Sequence, residues 1–176
     1  VGIGTVIKDN PLLEPTEISQ NRKNPAKIII DPSLKISTSA KLIKINKNSD
    51  IFIFTQKGIN RDKIKTFKFI KYIHIIEMDC KNNIISVKDI LKKLAEENIM
   101  SILVEGGGKT HGHFINEKMA DKVILFYSPK IFGIKESKGF VEGLNISSIA
   151  NAPVISNYKL KRLDNDFIVE GYFEYK

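Results

Sequence analysis

The chain has 176 residues, 42% hydrophobic and 27% charged, and 28 Lys and Arg against 20 Asp and Glu leave a formal net charge of +8. That length buries roughly 70% of the unfolded surface, and the composition excludes a disordered, collagen-like or disulfide-stapled chain. No apolar run reaches the ~18 residues of a membrane-spanning helix, and the basic balance suits anionic partners as well as a lysine-coated surface.

The opening Val1-Gly2-Ile3-Gly4 reads as the end of a strand running into a turn, as in a fragment of a longer protein. Thr5 is placed to cap a short helical turn that Asn10-Pro11 ends. Thr5 and Asp9 are four apart and share a face of that turn. Residues 26–31, 51–55 and 72–78 are dense in β-branched and aromatic side chains and are expected as strands. A weaker helix is expected within 58–69. Cys80 is alone, so neither an intrachain disulfide nor a cysteine metal site is available. With no signal peptide in view, a cytoplasmic setting is expected.

The spacing of Val87, Ile90, Leu91, Leu94 and Ala95 predicts an amphipathic helix over 86–98. Ser86 is its N-cap, with Asp89 at the third position. Residues 101–105 form a short apolar strand like 26–31, of the kind buried on both faces of a parallel sheet. A helix follows over 109–119, then strands over 121–127, 154–163 and 167–175. Asp164-Asn165-Asp166 separates the last two as a hairpin turn. The pattern predicts an α/β fold: a mostly parallel central sheet flanked by helices, closed by a C-terminal antiparallel hairpin.

The strongest chemical signal is Glu105-Gly106-Gly107-Gly108-Lys109-Thr110, between an apolar strand and a helix. Glycines admit close backbone approach and positive φ. A helix start offers unpaired N–H groups and partial positive charge. Together they form a phosphate cradle at the carboxyl end of a strand, to which Lys109 adds a full charge. The spacing is neither a P-loop nor the GxGxxG fingerprint. A carboxylate facing that phosphate would repel it, so Glu105 is expected to turn into a neighbouring pocket and accept N–H groups of a heterocycle. A solvent-facing or lysine-paired glutamate is the plain alternative. His111 and His113 lie ~200° apart on a helix and cannot grip one metal there; on a strand they could, but no third ligand is in sight. His74 reads as a half-buried structural residue of its strand.

These segments, in this order, resemble the reductase domain of riboflavin biosynthesis, a family with the dihydrofolate reductase-like fold. The resemblance rests on VGIGTVIKDNP at 1–11, NPAKIIIDPSLKI at 24–36, SILVEGGGKTHGHF at 101–114, SPKIFG at 128–133 and the closing NAPVISNYKLKRLDNDFIVEGYF. It implies NADPH-dependent reduction of 5-amino-6-(5-phosphoribosylamino)uracil to the ribitylamino product. By that resemblance Thr5, Asp9 and Ser33 contact NADPH, and Gly106, Gly107, Gly108, Lys109 and Thr110 form its phosphate loop. Leu13 and Glu105 match substrate positions, Glu105 binding the pyrimidine. No metal is implied for this domain.

The chain departs from the family at Leu12-Leu13-Glu14-Pro15-Thr16, where members carry Thr-x-Arg and the arginine holds the substrate phosphate. Arg22 or Lys23 is the candidate substitute. The family's first strand and helix precede VGIGT, so the chain reads as one reductase domain over 1–176 without them. In bacteria that domain follows a zinc-dependent deaminase.

Two alternatives share the fold: a 2,5-diamino-6-ribosylamino-pyrimidinone 5′-phosphate reductase and a dihydrofolate reductase. A basic nucleic-acid-binding domain is a third, and it lacks a clustered basic face; Arg61, Lys63, Lys65 and Lys68 form only a modest group. A preference for NADPH needs a cation for the 2′-phosphate, and Lys57 in the loop after 51–55 is the candidate. Phe167, Val169, Tyr172, Phe173 and Tyr175 suggest an exposed edge strand, and with the family's habit of associating they imply a homodimer.

Overall fold

The computed structural model describes residues 1–15, 24–46, 49–131, 133 and 139–175. The candidate phosphate residues Arg22 and Lys23 lie outside the described residues, as does part of the SPKIFG motif. The chain divides into two compact units, Val1–Gly107 and Gly108–Lys176.

The first unit is an α/β layer structure. Strands β1 (Lys27–Ile30), β2 (Ile51–Gln56) and β3 (Ile73–Met78) form a parallel sheet in that order. Side chains alternate across it, so each strand supplies both faces. Ile29, Ile51 and Ile53 face one way and join Leu42, Ile43 and Val6 in a core. Phe52 and Phe54 face the other way and join Ile85, Ile90 and Leu94. Central β2 is therefore buried from Ile51 to Thr55, as a continuous apolar strand must be.

Helices α1 (Ile3–Asp9), α2 (Lys41–Lys44) and α3 (Arg61–Lys65) contribute to the first core. The two-residue strands β4 (Cys80–Lys81) and β5 (Ile84–Ile85) form a small hairpin, and α4 (Val87–Glu96) packs in the second core. The predicted start of α4 is present: Ser86 Oγ accepts the Asp89 N–H at 3.3 Å. Its buried positions are Val87, Ile90 and Leu94 of the predicted stripe, whereas Leu91 is half-buried and Ala95 exposed.

Three expectations for local structure need correction. Residues 101–105 carry no strand, because no ladder partner pairs with them among the described residues. Ile102 packs on the second core, whereas Leu103 is 76% exposed. Apolar composition confers strand propensity, but a strand exists only where a neighbour accepts its hydrogen bonds. Thr5 does not cap α1; Gly2 is the N-cap, and the Thr5 N–H donates to the Gly2 carbonyl at 3.1 Å. His74 is exposed rather than half-buried, at the rim of the second core, where it stacks on Phe52 and meets Asp50 at 3.1 Å. The end of α1 is as expected, with Asn10 left-handed at φ 43.

The second unit holds α5 (Gly108–Asn116) and strands β6 (Lys122–Tyr127), β7 (Val154–Leu163) and β8 (Asp166–Glu174). The strands form an antiparallel sheet in the order β6-β8-β7, and Leu163 pairs with Asp166 across the predicted hairpin turn. The aromatic-rich strand expected at an edge is thus the central one. Phe167, Val169 and Tyr172 have paired neighbours on β6, and Phe173 pairs with Ile155 on β7. Sequence alternation alone does not distinguish an edge from a centre. The edges are β6 and β7, and Tyr158 and Leu160 of β7 are about two-thirds exposed, at 65% and 67%. On the sheet surface, hydrogen bonds from Lys122 and then Lys161 hold the Glu170 carboxyl down to about 2.

The first unit also buries an ion pair. The Lys27 ammonium, 1% exposed, donates to Glu14 at 2.9 Å and to Asn46 Oδ1 at 3.1 Å. The pair ties the segment after α1 to the start of β1. Removing one partner strands a charge in a low-dielectric setting. Lys27→Ala should therefore destabilise the protein by about 3 kcal/mol, read as a lower urea midpoint. An unchanged midpoint would show that Glu14 finds water without cost.

Candidate functional site

The site is built at the carboxyl edge of the parallel sheet. Val1 and Gly2 run alongside β1: the Val1 amino group donates to the Ile28 carbonyl at 2.8 Å, and the Ile30 N–H donates to the Val1 carbonyl at 2.9 Å. The chain then turns at Gly2 into α1, so α1 starts beside the end of β1. Crevices outside the carboxyl ends of parallel strands are where α/β sheets bind ligands.

Residues 101–105 end against that same start. A Cβ placed on Gly106 would lie 2.9 Å from Thr5 Oγ1 and 4.0 Å from the Gly2 nitrogen. Gly106 has φ +131, a region that L side chains rarely adopt. Two predicted residues, Thr5 and Gly106, are thus brought together by geometry that requires glycine. Gly107 differs: a Cβ there would meet nothing within 4 Å. Its backbone faces open space, so glycine at 107 is not required by packing.

Glu105 is exposed. It directly precedes Gly106, the residue that meets Thr5. Asp9, two turns along α1, is exposed, and Leu13 is half-buried against the first core with φ 54.

The loop after β1 is tightly wired. Asp31 is fully buried and its Oδ2 accepts the Ile36 N–H at 2.8 Å. Its Oδ1 has no hydrogen-bond partner among the described residues. Ser33 Oγ donates to Asn83 Oδ1 at 3.1 Å, and Lys63 Nζ donates to the Ser33 carbonyl at 3.3 Å. Lys57, the expected cation, is instead engaged with Asp79 at 2.8 Å. The sequence signal for Asp31 is a carboxylate closing an apolar strand.

In the second unit, Gly108 opens α5, with Lys109 exposed and Thr110 partly buried on its first turn. Gly108 has a packing reason to be glycine: a Cβ would lie 2.8 Å from both Glu142 Cγ and the Gly139 carbonyl. Gly112 likewise leaves room for the Glu142 backbone. The Glu142 N–H donates to the Gly108 carbonyl at 2.9 Å, and His111 Nδ1 meets the Phe140 carbonyl at 2.7 Å. The segment around 139–143 is thus strapped along α5, a feature the sequence did not signal. His111 and His113 both lie on α5, where two positions apart puts them on different faces.

These residues are compatible with a dinucleotide. The open backbone at Gly107 and the positive φ at Gly106 leave an approach that a side chain would fill.

Comparison with known proteins gives the family. A profile of the RibD C-terminal domain matches residues 1–169. The riboflavin biosynthesis protein RibD of Aquifex aeolicus is 34% identical over 173 residues, covering 96% of this chain and 44% of that protein. The chain therefore spans less than half the length of that relative. The 2,5-diamino-6-ribosylamino-4(3H)-pyrimidinone 5′-phosphate reductase of Archaeoglobus fulgidus is 21% identical over 181 residues, covering 98% of this chain and 78% of that protein. Among solved structures, RibD of Acinetobacter baumannii superposes with a TM-score of 0.77 at 18% identity, over 98% of this chain and 45% of that one, a likeness of fold. The α/β architecture with its C-terminal antiparallel hairpin is that of the dihydrofolate reductase-like reductases, and this chain belongs to the RibD C-terminal domain family.

Proposed function

We propose that the chain is the reductase part of a riboflavin biosynthesis enzyme, reducing 5-amino-6-(5-phosphoribosylamino)uracil to its ribitylamino product with NADPH. The observation that carries this reading is the meeting of Thr5 and Gly106 at the start of α1, beside the carboxyl end of β1, with Glu105 the residue before Gly106. The 34% identity to a RibD supports this substrate over that of the archaeal reductase, at 21%.

The division of labour follows from the residues. A bound reduced nicotinamide supplies the hydride. The chain contributes binding and orientation. Backbone at Gly107 admits phosphate without steric obstruction, and Gly106 beside it leaves room for Thr5 Oγ1. Lys109 and Thr110, which follow in the motif, carry a charge and a hydroxyl on the first turn of α5. Asp9 and Ser33 complete the cofactor contacts. Glu105 accepts N–H groups of the pyrimidine, and Leu13 packs on it. Burial of Asp31 fixes the turn that presents Ser33. Fusion to a deaminase domain and a cytoplasmic setting belong to the same reading; among the described residues no helix is long and apolar enough to cross a membrane.

Replacing Gly107 with Val puts a branched side chain into the open approach, at a position where a Cβ meets nothing within 4 Å. The variant of the intact protein should fold and bind NADPH more than about tenfold more weakly. Unchanged affinity in a direct titration would overturn the loop assignment. Glu105→Gln should slow turnover while changing NADPH affinity by less than about tenfold. Loss of cofactor affinity with intact substrate binding would reassign Glu105.

A homodimer is part of the proposal. The exposed Tyr158 and Leu160 on edge strand β7 are an unprotected pairing surface, and two-fold closure is its commonest cover. Light scattering of the intact protein at micromolar concentration should give twice the mass of one chain. A one-chain mass would remove the dimer.

A further inference from the structure

Selection between NADPH and NADH turns on one group, the 2′-phosphate of the adenosine. It needs a cation and hydrogen-bond donors, and it is repelled by nearby carboxylates. Lysines at the carboxyl edge of the parallel sheet can be sorted by what they already hold.

Lys57 follows β2. Its ammonium lies 2.8 Å from Asp79, and the next residue, Gly58, donates its N–H to Glu77 at 3.2 Å. A phosphate placed there meets two carboxylates. Lys65 points to Asp62 at 2.8 Å. Lys63 is different. Its hydrogen bond among the described residues goes to a neutral group, the Ser33 carbonyl, at 3.3 Å. Ser33 Oγ bonds the Asn83 side chain at 3.1 Å. An ammonium, a hydroxyl and a carboxamide from three separate loops are thus linked in one chain of contacts. No carboxylate is bonded to any of the three among the described residues.

The placement is non-local. Ser33 belongs to the turn after β1, Lys63 to α3 after β2, and Asn83 to the hairpin after β3. All three loops leave the carboxyl ends of neighbouring parallel strands, so the cluster lies along the edge where such sheets take dinucleotides. The Ser33 turn is rigid, since Asp31 accepts the Ile36 N–H and the Leu34 N–H returns to the Asp31 carbonyl.

We infer that Lys63, with Ser33 and Asn83, selects NADPH over NADH by binding the 2′-phosphate. This deepens the proposed function and rests on it. The ammonium exchanges the Ser33 carbonyl for phosphate oxygen, a charge-assisted bond in place of a charge–dipole one. Lys57 stays with Asp79 and is a bystander.

The test measures NADPH and NADH affinity of the intact protein by direct titration, with 2′-phosphoadenosine 5′-phosphate as a probe of the subsite alone. Lys63→Ala should weaken NADPH and the probe about tenfold and leave NADH unchanged. Lys63→Arg should keep most of the NADPH affinity, because the charge persists. Lys57→Ala should bind both dinucleotides like the wild type. Unchanged NADPH affinity in Lys63→Ala, or a loss confined to Lys57→Ala, overturns the inference and leaves the proposed function standing. A wild-type protein that binds neither dinucleotide overturns both. Lys63 is exposed, so its variants should unfold at the wild-type temperature.

Discussion

The parallel pairing of β1 with β2 on one side and with Val1–Gly2 on the other is the constraint on which the site depends. Parallel strands all end at the same edge of the sheet. Whatever follows each strand is therefore delivered to that edge, however far apart in sequence. This is why α1, the Asp31–Ser33 turn and the loop before α3 are available to one ligand. The ladder also forces cover on both faces, which the two cores around Ile53 and Phe54 provide.

Glycine is used differently at its three consecutive positions. Gly106 is required by its φ of +131 and by the closeness of Thr5. Gly108 makes room for Glu142 and Gly139. Only Gly107 is unconstrained by the surrounding protein, which makes it the position where a ligand's demand is separable from the fold's own. A motif that looks uniform in sequence thus divides into two packing positions and one open one.

Charge at the sheet edge follows a similar logic. The chain is basic, yet a lysine bonded to a carboxylate offers little to an anion. Lys57 and Lys63 are equivalent by composition and both follow β2. Their partners, Asp79 in one case and a backbone carbonyl in the other, separate them. Buried Lys27 is a third kind, devoted to Glu14 and Asn46.

Much of this was legible from sequence, because period and propensity are local. The stripe of α4, its Ser86 cap, the three parallel strands and the β7–β8 hairpin all follow from side-chain spacing and turn chemistry. The glycine loop and Glu105 stand out as candidate chemistry for the same reason. What sequence could not supply was partnership. Residues 101–105 have strand composition but no ladder, and β8 has the aromatics of an edge but lies between β6 and β7. The contact of Thr5 with Gly106 joins residues a hundred positions apart. The choice of Lys63 over Lys57 depended on loops following three different strands. Such pairings are set by tertiary packing, since hydrogen bonds and ion pairs form between groups that the fold, not the chain order, brings within reach.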